Sequence, residues 1–402
     1  MGPRRRTGSF VPRAVFEVSQ NITRSYYLGH HAGALGTMRQ MLSNINLILE
    51  CRDSRVPLTG TNPMLEKALA GRDRIIVYTK SDLWAPSKSV YQEKKLLTRF
   101  YKNNGLFGVG GSGGGGGSSE REMEMEDDEA YGGGGMGMGM GMGAEMGTGL
   151  GTEVLFTNVS KSHSIKALLD AIKQRAAHAE SLTGLRALVV GMPNAGKSSL
   201  LNAMRAEGMR LGKVAKTGAF PGVTRKLSTP VRVMGADAES GVEGGVFVVD
   251  TPGVFVPYVG DVEAMLKLAL VGCVKDGIVP SETVVDYLLF RMNLRSPKVY
   301  AELSTATNDI AEFLDNVATR TGKLLKGGVP SRPLAADWIL HQWRNGRLGR
   351  FSLDEVTEES LAALRARTLA GEEHVSLSQA KKMEKKARKE KRAAQRKAAA
   401  ES

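Results

Sequence analysis

The chain has only two cysteines in 402 residues and no long hydrophobic run. Cys51 and Cys273 lie far apart, and neither has Cys or His neighbours at the spacing of metal ligands. This excludes a disulfide framework or a zinc ribbon, and it fits a reducing compartment. We expect both thiols to be buried as small apolar groups. No apolar run approaches the roughly 18–20 residues that span a bilayer, so we expect a soluble protein without a transmembrane segment.

Basic residues outnumber acidic ones, and the excess is unevenly distributed along the chain. The formal net charge is +13. Residues 381–398 contain ten Lys or Arg and two Glu, whereas residues 105–151 contain eight acids and one Arg. A basic body with a basic tail favours a polyanionic partner. The alternative is that the basic ends only keep the protein soluble.

The N-terminus lacks acidic residues before Glu17, and its arginines make the first sixteen residues basic. It also lacks the apolar run of a secretory signal. These features predict an organellar presequence over residues 1–20. Two prolines within it weaken the amphipathic helix that such a signal favours.

Two short apolar runs, residues 46–50 and 74–78, enclose a helix-like stretch, and residues 52–57 have the composition of a turn. This pattern predicts a βαβ unit and a parallel sheet. Residues 105–151 are nearly all Gly, Met, Ser and acids. Such a segment cannot bury enough apolar surface to offset its ordering entropy. We therefore expect a disordered insertion in a surface loop.

The sequence Gly191-Met-Pro-Asn-Ala-Gly-Lys-Ser198 follows an apolar strand and precedes a helix, which is the context of a phosphate-binding loop. Its backbone N–H groups cradle phosphates, and the helix N-terminus adds a partial positive charge. Lys197 is expected to bridge the β- and γ-phosphates and to act in catalysis. The predicted nucleotide contacts of this loop are Pro193, Asn194, Ala195, Gly196, Lys197, Ser198 and Ser199.

A magnesium and γ-phosphate motif, Asp250-Thr-Pro-Gly253, follows the phosphate loop. Asp250 ends an apolar run, from which it can reach the Mg²⁺ shell, and the Gly253 N–H can hold the γ-phosphate. Thr224 lies between the two motifs in a polar stretch. Its hydroxyl can join Mg²⁺ only while the γ-phosphate is present, so Thr224 is the predicted switch and a catalytic residue. The predicted metal ligands are Ser198, Thr224 and Asp250.

The motif Thr79-Lys80-Ser81-Asp82 predicts which base is bound. The Asp82 carboxylate can accept two hydrogen bonds from N–H groups of guanine, a pattern that adenine does not offer. Lys80 is expected to pack its stem over the base and ribose, and Thr79 stands where this motif usually has Asn. Another set of residues would line the base from the other side: Asn158, Val159 and Ser160. Together these motifs predict GTP rather than ATP.

The guanine motif precedes the phosphate loop by more than a hundred residues, whereas it normally follows it, and this order indicates a circular permutation. Loops of a parallel sheet emerge at one carboxyl edge, so cutting one loop and joining the old ends leaves that edge intact. We expect an α/β fold, a circularly permuted P-loop GTPase domain with a mostly parallel sheet, followed by a smaller all-helical C-terminal domain. The expected parts are the presequence 1–20, the GTPase domain 24–262 with its insertion 105–151, the helical domain 263–372 and the basic tail 373–402.

With this order, the chain resembles the circularly permuted ribosome-assembly GTPases, a family that includes bacterial ribosome-biogenesis GTPase A. The resemblance covers roughly residues 24–104 and 153–355 and is strongest to mitochondrial members. Besides the nucleotide motifs, the segments that carry it are Gly29-His30, Asp53–Pro57, Gly272–Asp276, Asp337-Trp338 and Trp343–Arg350.

The resemblance implies a slow GTPase switch that acts in assembly of the large subunit of the mitochondrial ribosome. Translation is a further role that it implies. It also implies a monomer on the matrix side of the inner membrane whose helical domain contacts rRNA. Val254 stands where many GTPases have a catalytic Gln, and the resemblance assigns the water-orienting role to His30, with His31 beside it as an alternative. A histidine without a catalytic role is the other interpretation. By the same resemblance Asn194 implies potassium, in addition to GTP and Mg²⁺.

One function from another class stays open. The chain could be an RNA-binding assembly factor that uses GTP as a structural ligand and does not need hydrolysis. A variant that binds GTP but cannot hydrolyse it separates the two functions, because only a structural role survives that change.

Overall fold

The structure, a computed structural model, describes residues 10–17, 22, 36, 38–103, 106, 152–179, 181–215, 228–256, 259 and 261–370. Six strands of these ranges form one sheet: β1 (Leu47–Asp53), β2 (Arg74–Thr79), β3 (Thr152–Phe156), β4 (Leu185–Gly191), β5 (Val231–Met234) and β6 (Val246–Asp250). The α-helices are α1 (Pro63–Ala68), α2 (Lys88–Lys102), α3 (Ser162–His178), α4 (Lys197–Met209), α5 (Val262–Leu270), α6 (Ser281–Arg295), α7 (Ile310–Thr321), α8 (Arg332–Arg344) and α9 (Glu358–Ala370).

The strand order in the sheet is β3-β2-β1-β4-β6-β5. Neighbouring strands are parallel, except that β5 runs antiparallel to β6 at one edge. The β1-α1-β2 segment is the predicted βαβ unit. The α/β fold with a mostly parallel sheet is therefore confirmed. Because the parallel strands share one direction, the loops that follow them emerge at the same edge.

Successive side chains of the strands face two different helical layers. On one face, Leu49 and Cys51 of β1 pack in a core with residues of α3 and α4. On the other face, Ile76 and Tyr78 of β2 pack with residues of α2. Cys51 and Cys273 are both buried, as expected, and burial raises the pKa of each thiol to about 12.

The predicted turn over residues 52–57 begins two residues later than expected, at Ser54, because β1 continues through Asp53. Arg52 is 1% exposed and lies among carboxylates: its guanidinium donates to Glu50 at 2.8 Å and also contacts Glu66. Arg74 of the neighbouring strand donates to Glu66 at 2.8 Å. A buried charge is tolerated only when it is paired in this way. One carboxylate, Glu50, lies on β1 itself, whereas Glu66 comes from α1, and the local sequence does not reveal that second pairing.

The helices α5 to α8 form a second core, in which Leu266, Tyr287, Phe313, Ile339 and Trp343 are buried. No helix in the described ranges has both the length and the apolar character that crossing a membrane requires.

After α8 the chain returns to the sheet as a segment without regular secondary structure, within the range where the sequence predicts a helical domain. The Leu353 N–H donates to the Arg55 carbonyl at 2.7 Å, and the Asp354 carboxylate accepts from the backbone of Leu58 at 2.9 Å. These bonds satisfy the backbone without a helix. Leu361 of α9 then packs in the core of β2 and α2.

Candidate functional site

The phosphate loop connects β4 to α4 at the carboxyl edge of the sheet, as the sequence predicts. The α4 helix begins at Lys197, and its N-cap is Gly196. Lys197 is 6% exposed, and its ammonium donates to the carbonyls of Met192 at 2.7 Å and Gly191 at 3.2 Å. Burial lowers the pKa of Lys197, while the nearby Asp250 carboxylate opposes that shift. The loop thus holds a cation and a helix N-terminus together, which is the requirement for binding phosphates.

Ser198 and Asp250 meet beside this loop. The Ser198 hydroxyl donates to Oδ2 of Asp250 at 2.5 Å. Oδ1 of Asp250 is buried and has no hydrogen-bond partner among the described residues. Burial raises the pKa of Asp250, against the hydrogen bond from Ser198 and the charge of Lys197. A hydroxyl beside an unpartnered carboxylate oxygen fits a hard divalent cation, so these two residues would hold Mg²⁺.

The segment after β6 lies against the phosphate loop. A Cβ at Gly253 would lie 2.6 Å from the backbone of Pro193, so only glycine fits there. The Val254 N–H donates to the Gly191 carbonyl at 3.1 Å. The Val254 side chain is 1% exposed and packs in the apolar core. This position therefore offers no group that could orient a water molecule.

The guanine motif reaches the phosphate loop directly, although it comes more than a hundred residues earlier. The Thr79 hydroxyl donates to the Ala195 carbonyl at 2.8 Å. Lys80 adopts a left-handed backbone conformation, with φ of 54°, and its ammonium donates to the Asn194 carbonyl at 2.8 Å. Thr79 thus provides a tether between the two loops in the position where Asn is usual.

The predicted base-contacting residues lie on two loops that are joined to each other. The Ser81 N–H donates to the Thr157 carbonyl at 3.1 Å, which connects the loop after β2 with the loop after β3. In the second loop, the Asn158 side chain accepts from the Ser160 N–H at 2.9 Å. The Asp82 carboxylate is partly exposed and accepts no hydrogen bond from a described residue. Among the described residues, nothing donates to either acceptor oxygen of Asp82, as the predicted base contact requires.

Several predicted residues lie outside the described ranges. These are His30, His31, Thr224, the insertion over 107–151, most of the presequence and the basic tail. Their roles stay predictions, as do the contacts that each residue of the site makes with a bound nucleotide.

Sequence reasoning assigned no role to Asp53 and Arg55, which the structure brings into the site. The Asp53 carboxylate accepts from Lys80 at 2.8 Å and from the Arg55 guanidinium at 2.7 Å and 2.9 Å. Burial alone would raise the pKa of Asp53, but the cations of Arg55 and Lys80 outweigh it and hold that pKa well below its usual range. Asp53 therefore fixes the position of Lys80. The position of Asp53 at the carboxyl end of a predicted parallel strand was the sequence signal that could have placed it in the site.

Known proteins are similar in sequence to most of this chain. The chain is 34% identical over 354 residues to mitochondrial GTPase 1 of Schizosaccharomyces pombe, which covers 88% of this chain and 95% of that protein. The chain belongs to the mitochondrial GTPase 1 family. It is also 29% identical to mitochondrial ribosome-associated GTPase 1 of Xenopus tropicalis, over 86% of this chain and 99% of that protein.

Two further comparisons concern the GTPase domain and the fold. The family model for 50S ribosome-binding GTPases matches residues 186–320 of this GTPase. The crystal structure of GNP-bound YlqF from T. maritima is 21% identical, covers 80% of this chain and 98% of its own, and gives a TM-score of 0.44. The relatives and the family model confirm the resemblance drawn from the motifs, and the chain is a GTP-hydrolysing enzyme.

Proposed function

We propose that this GTPase is a switch in the assembly of the large subunit of the mitochondrial ribosome, with translation as a further role. The observation that carries the nucleotide half of the proposal is the pair of bonds from Thr79 and Lys80 to the phosphate loop. They bring a guanine-reading loop and a phosphate-binding loop into one site. The ribosomal half is supported by the relatives, which are named mitochondrial ribosome-associated GTPases, and by the 50S ribosome-binding family model.

In this proposal each side chain has a defined task. Lys197 holds the β- and γ-phosphates, and Asp82 with Lys80 holds the base. Bound Mg²⁺, on Ser198, Asp250 and Thr224, would neutralise charge on the phosphates. Because Val254 is buried, unassisted turnover should lie at the low end of the 10⁻⁴–10⁻² s⁻¹ that is typical of such sites without help. We assign the water-orienting role to His30, and we include potassium as a further charge-neutralising ion near Asn194.

The helical region is the part that we propose contacts rRNA. The chain leaves Gly253 and enters α5 at Val262, so a change at the γ-phosphate is transmitted to the helices over only a few residues. Arg295 and Arg350 line a cleft of about 510 Å³ where the helical region meets the loop after β2. Glu93, Asp354 and Glu355 line the same cleft, so it carries no net positive charge. The cations that suit phosphate contacts in this proposal are those of the basic tail.

We also propose a location on the matrix side of the inner membrane, with peripheral attachment and no bilayer-crossing helix. The relatives named mitochondrial support the compartment. The hairpin between α7 and α8 supports the attachment, since Leu324, Leu325 and Val329 are 41%, 56% and 55% exposed. Leu325 and Val329 are hydrogen-bonded across this hairpin at 2.8 Å, and Lys323 and Lys326 flank the apolar tip. Apolar side chains next to lysines suit the surface of an anionic bilayer.

The alternative is an RNA-binding factor that uses GTP as a structural ligand and does not need to hydrolyse it. Full rescue of a deletion strain by a variant that binds GTP but does not hydrolyse it would favour that alternative.

Turnover with and without purified large mitoribosomal subunits tests the proposal. We expect these particles to raise GTP turnover by more than about ten-fold, since a supplied charge or an oriented water adds roughly 10³–10⁵ in related sites. Small mitoribosomal subunits at the same RNA concentration are the matched control and should leave turnover nearly unchanged. A flat response to the large subunit would remove the ribosome from the mechanism.

A further inference from the structure

The Asn194 side chain leaves the phosphate loop and binds the helical region. Its Nδ2 donates to the carbonyl of Gly272 at 2.7 Å, while its own backbone carbonyl accepts from Lys80 at 2.8 Å. Asn194 has a positive φ of 56°, a left-handed backbone conformation that is uncommon outside glycine. One residue of the phosphate loop is thus bonded both to the guanine motif and to the turn that follows α5.

The turn at Gly272 is held in place by Arg344 of α8. The Arg344 guanidinium donates to the carbonyls of Leu270 at 3.0 Å and Ala269 at 2.9 Å, and it pairs with Asp276 at 2.9 Å. Gly272 itself has φ of +82°. A shift of α8 would therefore move the carbonyl to which Asn194 is bonded.

A second path joins α8 to the guanine motif. Arg55 donates to the Arg344 carbonyl at 3.4 Å, and its guanidinium lies over the Trp343 ring at 4.8 Å. Arg55 is paired with Asp53, which also binds Lys80 at 2.8 Å. Together the two paths make a closed ring of contacts, which we name the Asn194–Arg344 ring: Asn194, Gly272, Arg344, Arg55, Asp53 and Lys80.

We propose that the Asn194–Arg344 ring is a regulatory contact that slows nucleotide release, and that a partner which displaces α8 opens it. In the closed ring, the phosphate loop and Lys80 are held in their binding positions by the helical region. Losing the Gly272 contact removes one of the bonds that hold Asn194, and losing the Arg344 side chain loosens the turn that carries this contact. The second path runs through the Arg344 backbone carbonyl and stays in place. GDP dissociation then becomes faster. This rests on the proposed function only in assuming that a partner docks on the helical region.

Two glycines of the same region give a matched pair of variants. Gly272→Ala places a Cβ 3.3 Å from Asn194 Nδ2 and 3.5 Å from the Arg344 guanidinium, at φ of +82°. Gly277→Ala places a Cβ with nothing within 4 Å, at φ of +91°. Both changes carry the same kind of backbone strain, but only the first disturbs the ring. A difference between them therefore reports the contact and not the strain.

The measurement is the dissociation rate of a fluorescent GDP analogue from the full-length protein, without ribosomes. We expect Gly272→Ala to accelerate dissociation about five- to ten-fold, as for the loss of one hydrogen bond, and Gly277→Ala to stay within about two-fold of wild type. Equal rates for the two variants, whether both changed or both unchanged, would overturn the proposal. Because no ribosome is present, this experiment can fail or succeed independently of the turnover assay with large subunits, which tests the proposed function.

Arg344→Lys provides a second variant in case Gly272→Ala does not fold. Lysine keeps the charge but loses the planar fork that bonds the Gly272 turn and Asp276 together. We expect faster GDP dissociation, with Arg347→Lys as its control because Arg347 contacts only Gln342 at 3.4 Å among the described residues. The double variant Gly272→Ala with Arg344→Lys should be no faster than the faster single one, since both break one ring. Additive acceleration would contradict the ring.

Discussion

Asp82→Asn is expected to change the base that this GTPase prefers from guanine to xanthine. The carboxylate accepts two hydrogen bonds from guanine, whereas an amide presents a donor where guanine also has one. Two charge-assisted hydrogen bonds, at about 1.5–3 kcal/mol each, correspond to a loss of roughly 10²–10⁴-fold in GTP affinity. Xanthine carries a carbonyl where guanine has its amino group, so XTP should bind the variant more tightly than GTP does.

Competition between GTP, XTP and ATP for a fluorescent nucleotide is the measurement that checks this change. Asp170→Asn is the matched control, because Asp170 is an exposed carboxylate in the middle of α3 and is not one of the predicted base contacts. It should leave the preference for GTP as it is. Selectivity that is the same in Asp82→Asn and in the wild type would remove Asp82 from the base site.

Lys197→Ala is the second change with a large expected effect. The ammonium is buried at the start of α4 and is bonded there only to loop carbonyls among the described residues, so it is already placed for phosphate oxygens. Removing one donor to charge that develops in the transition state costs about 10²–10³ in turnover. Affinity for GTP should fall as well, because the same donor binds the ground state. Single-turnover hydrolysis at saturating GTP separates the two effects.

The control for Lys197→Ala must separate chemistry from folding, since the ammonium also satisfies two backbone carbonyls. Lys197→Arg keeps the charge, and Lys102→Ala removes an exposed charge at the end of α2. We expect a near-wild-type melting temperature without nucleotide for Lys102→Ala and a modestly lower one for Lys197→Ala, because two buried carbonyls lose their donor. A turnover rate in Lys197→Ala within two-fold of wild type would exclude the phosphate role of Lys197.

The strands of the sheet could be predicted because their apolar runs are local signals. The run at 74–78 became β2 with its boundaries shifted by one residue or less, and the apolar run before the phosphate loop became β4. The phosphate loop and Asp250 were predictable for a related reason: each motif keeps its own strand and helix beside it. Reading the motif order was then enough to indicate the permutation.

The contacts that hold the site together could not be predicted, because they join residues far apart in the chain. Nothing near Asn194 in the sequence indicates that it bonds Gly272, or that Arg344 supports that turn. The burial of Arg52 in β1 also depends on Glu66, a carboxylate of α1. Pairings of this kind are decided by tertiary packing and not by local propensity.

Hydrogen exchange with and without GDP and Mg²⁺ tests most directly whether the guanine loop and the phosphate loop surround one nucleotide. Our account predicts that the amides of residues 79–83, 158–160 and 191–199 gain protection together, at one GDP concentration. ATP at the same concentration should protect none of them to that degree. Protection limited to residues 191–199, or equal protection by ATP, would contradict a guanine site built from these separated segments.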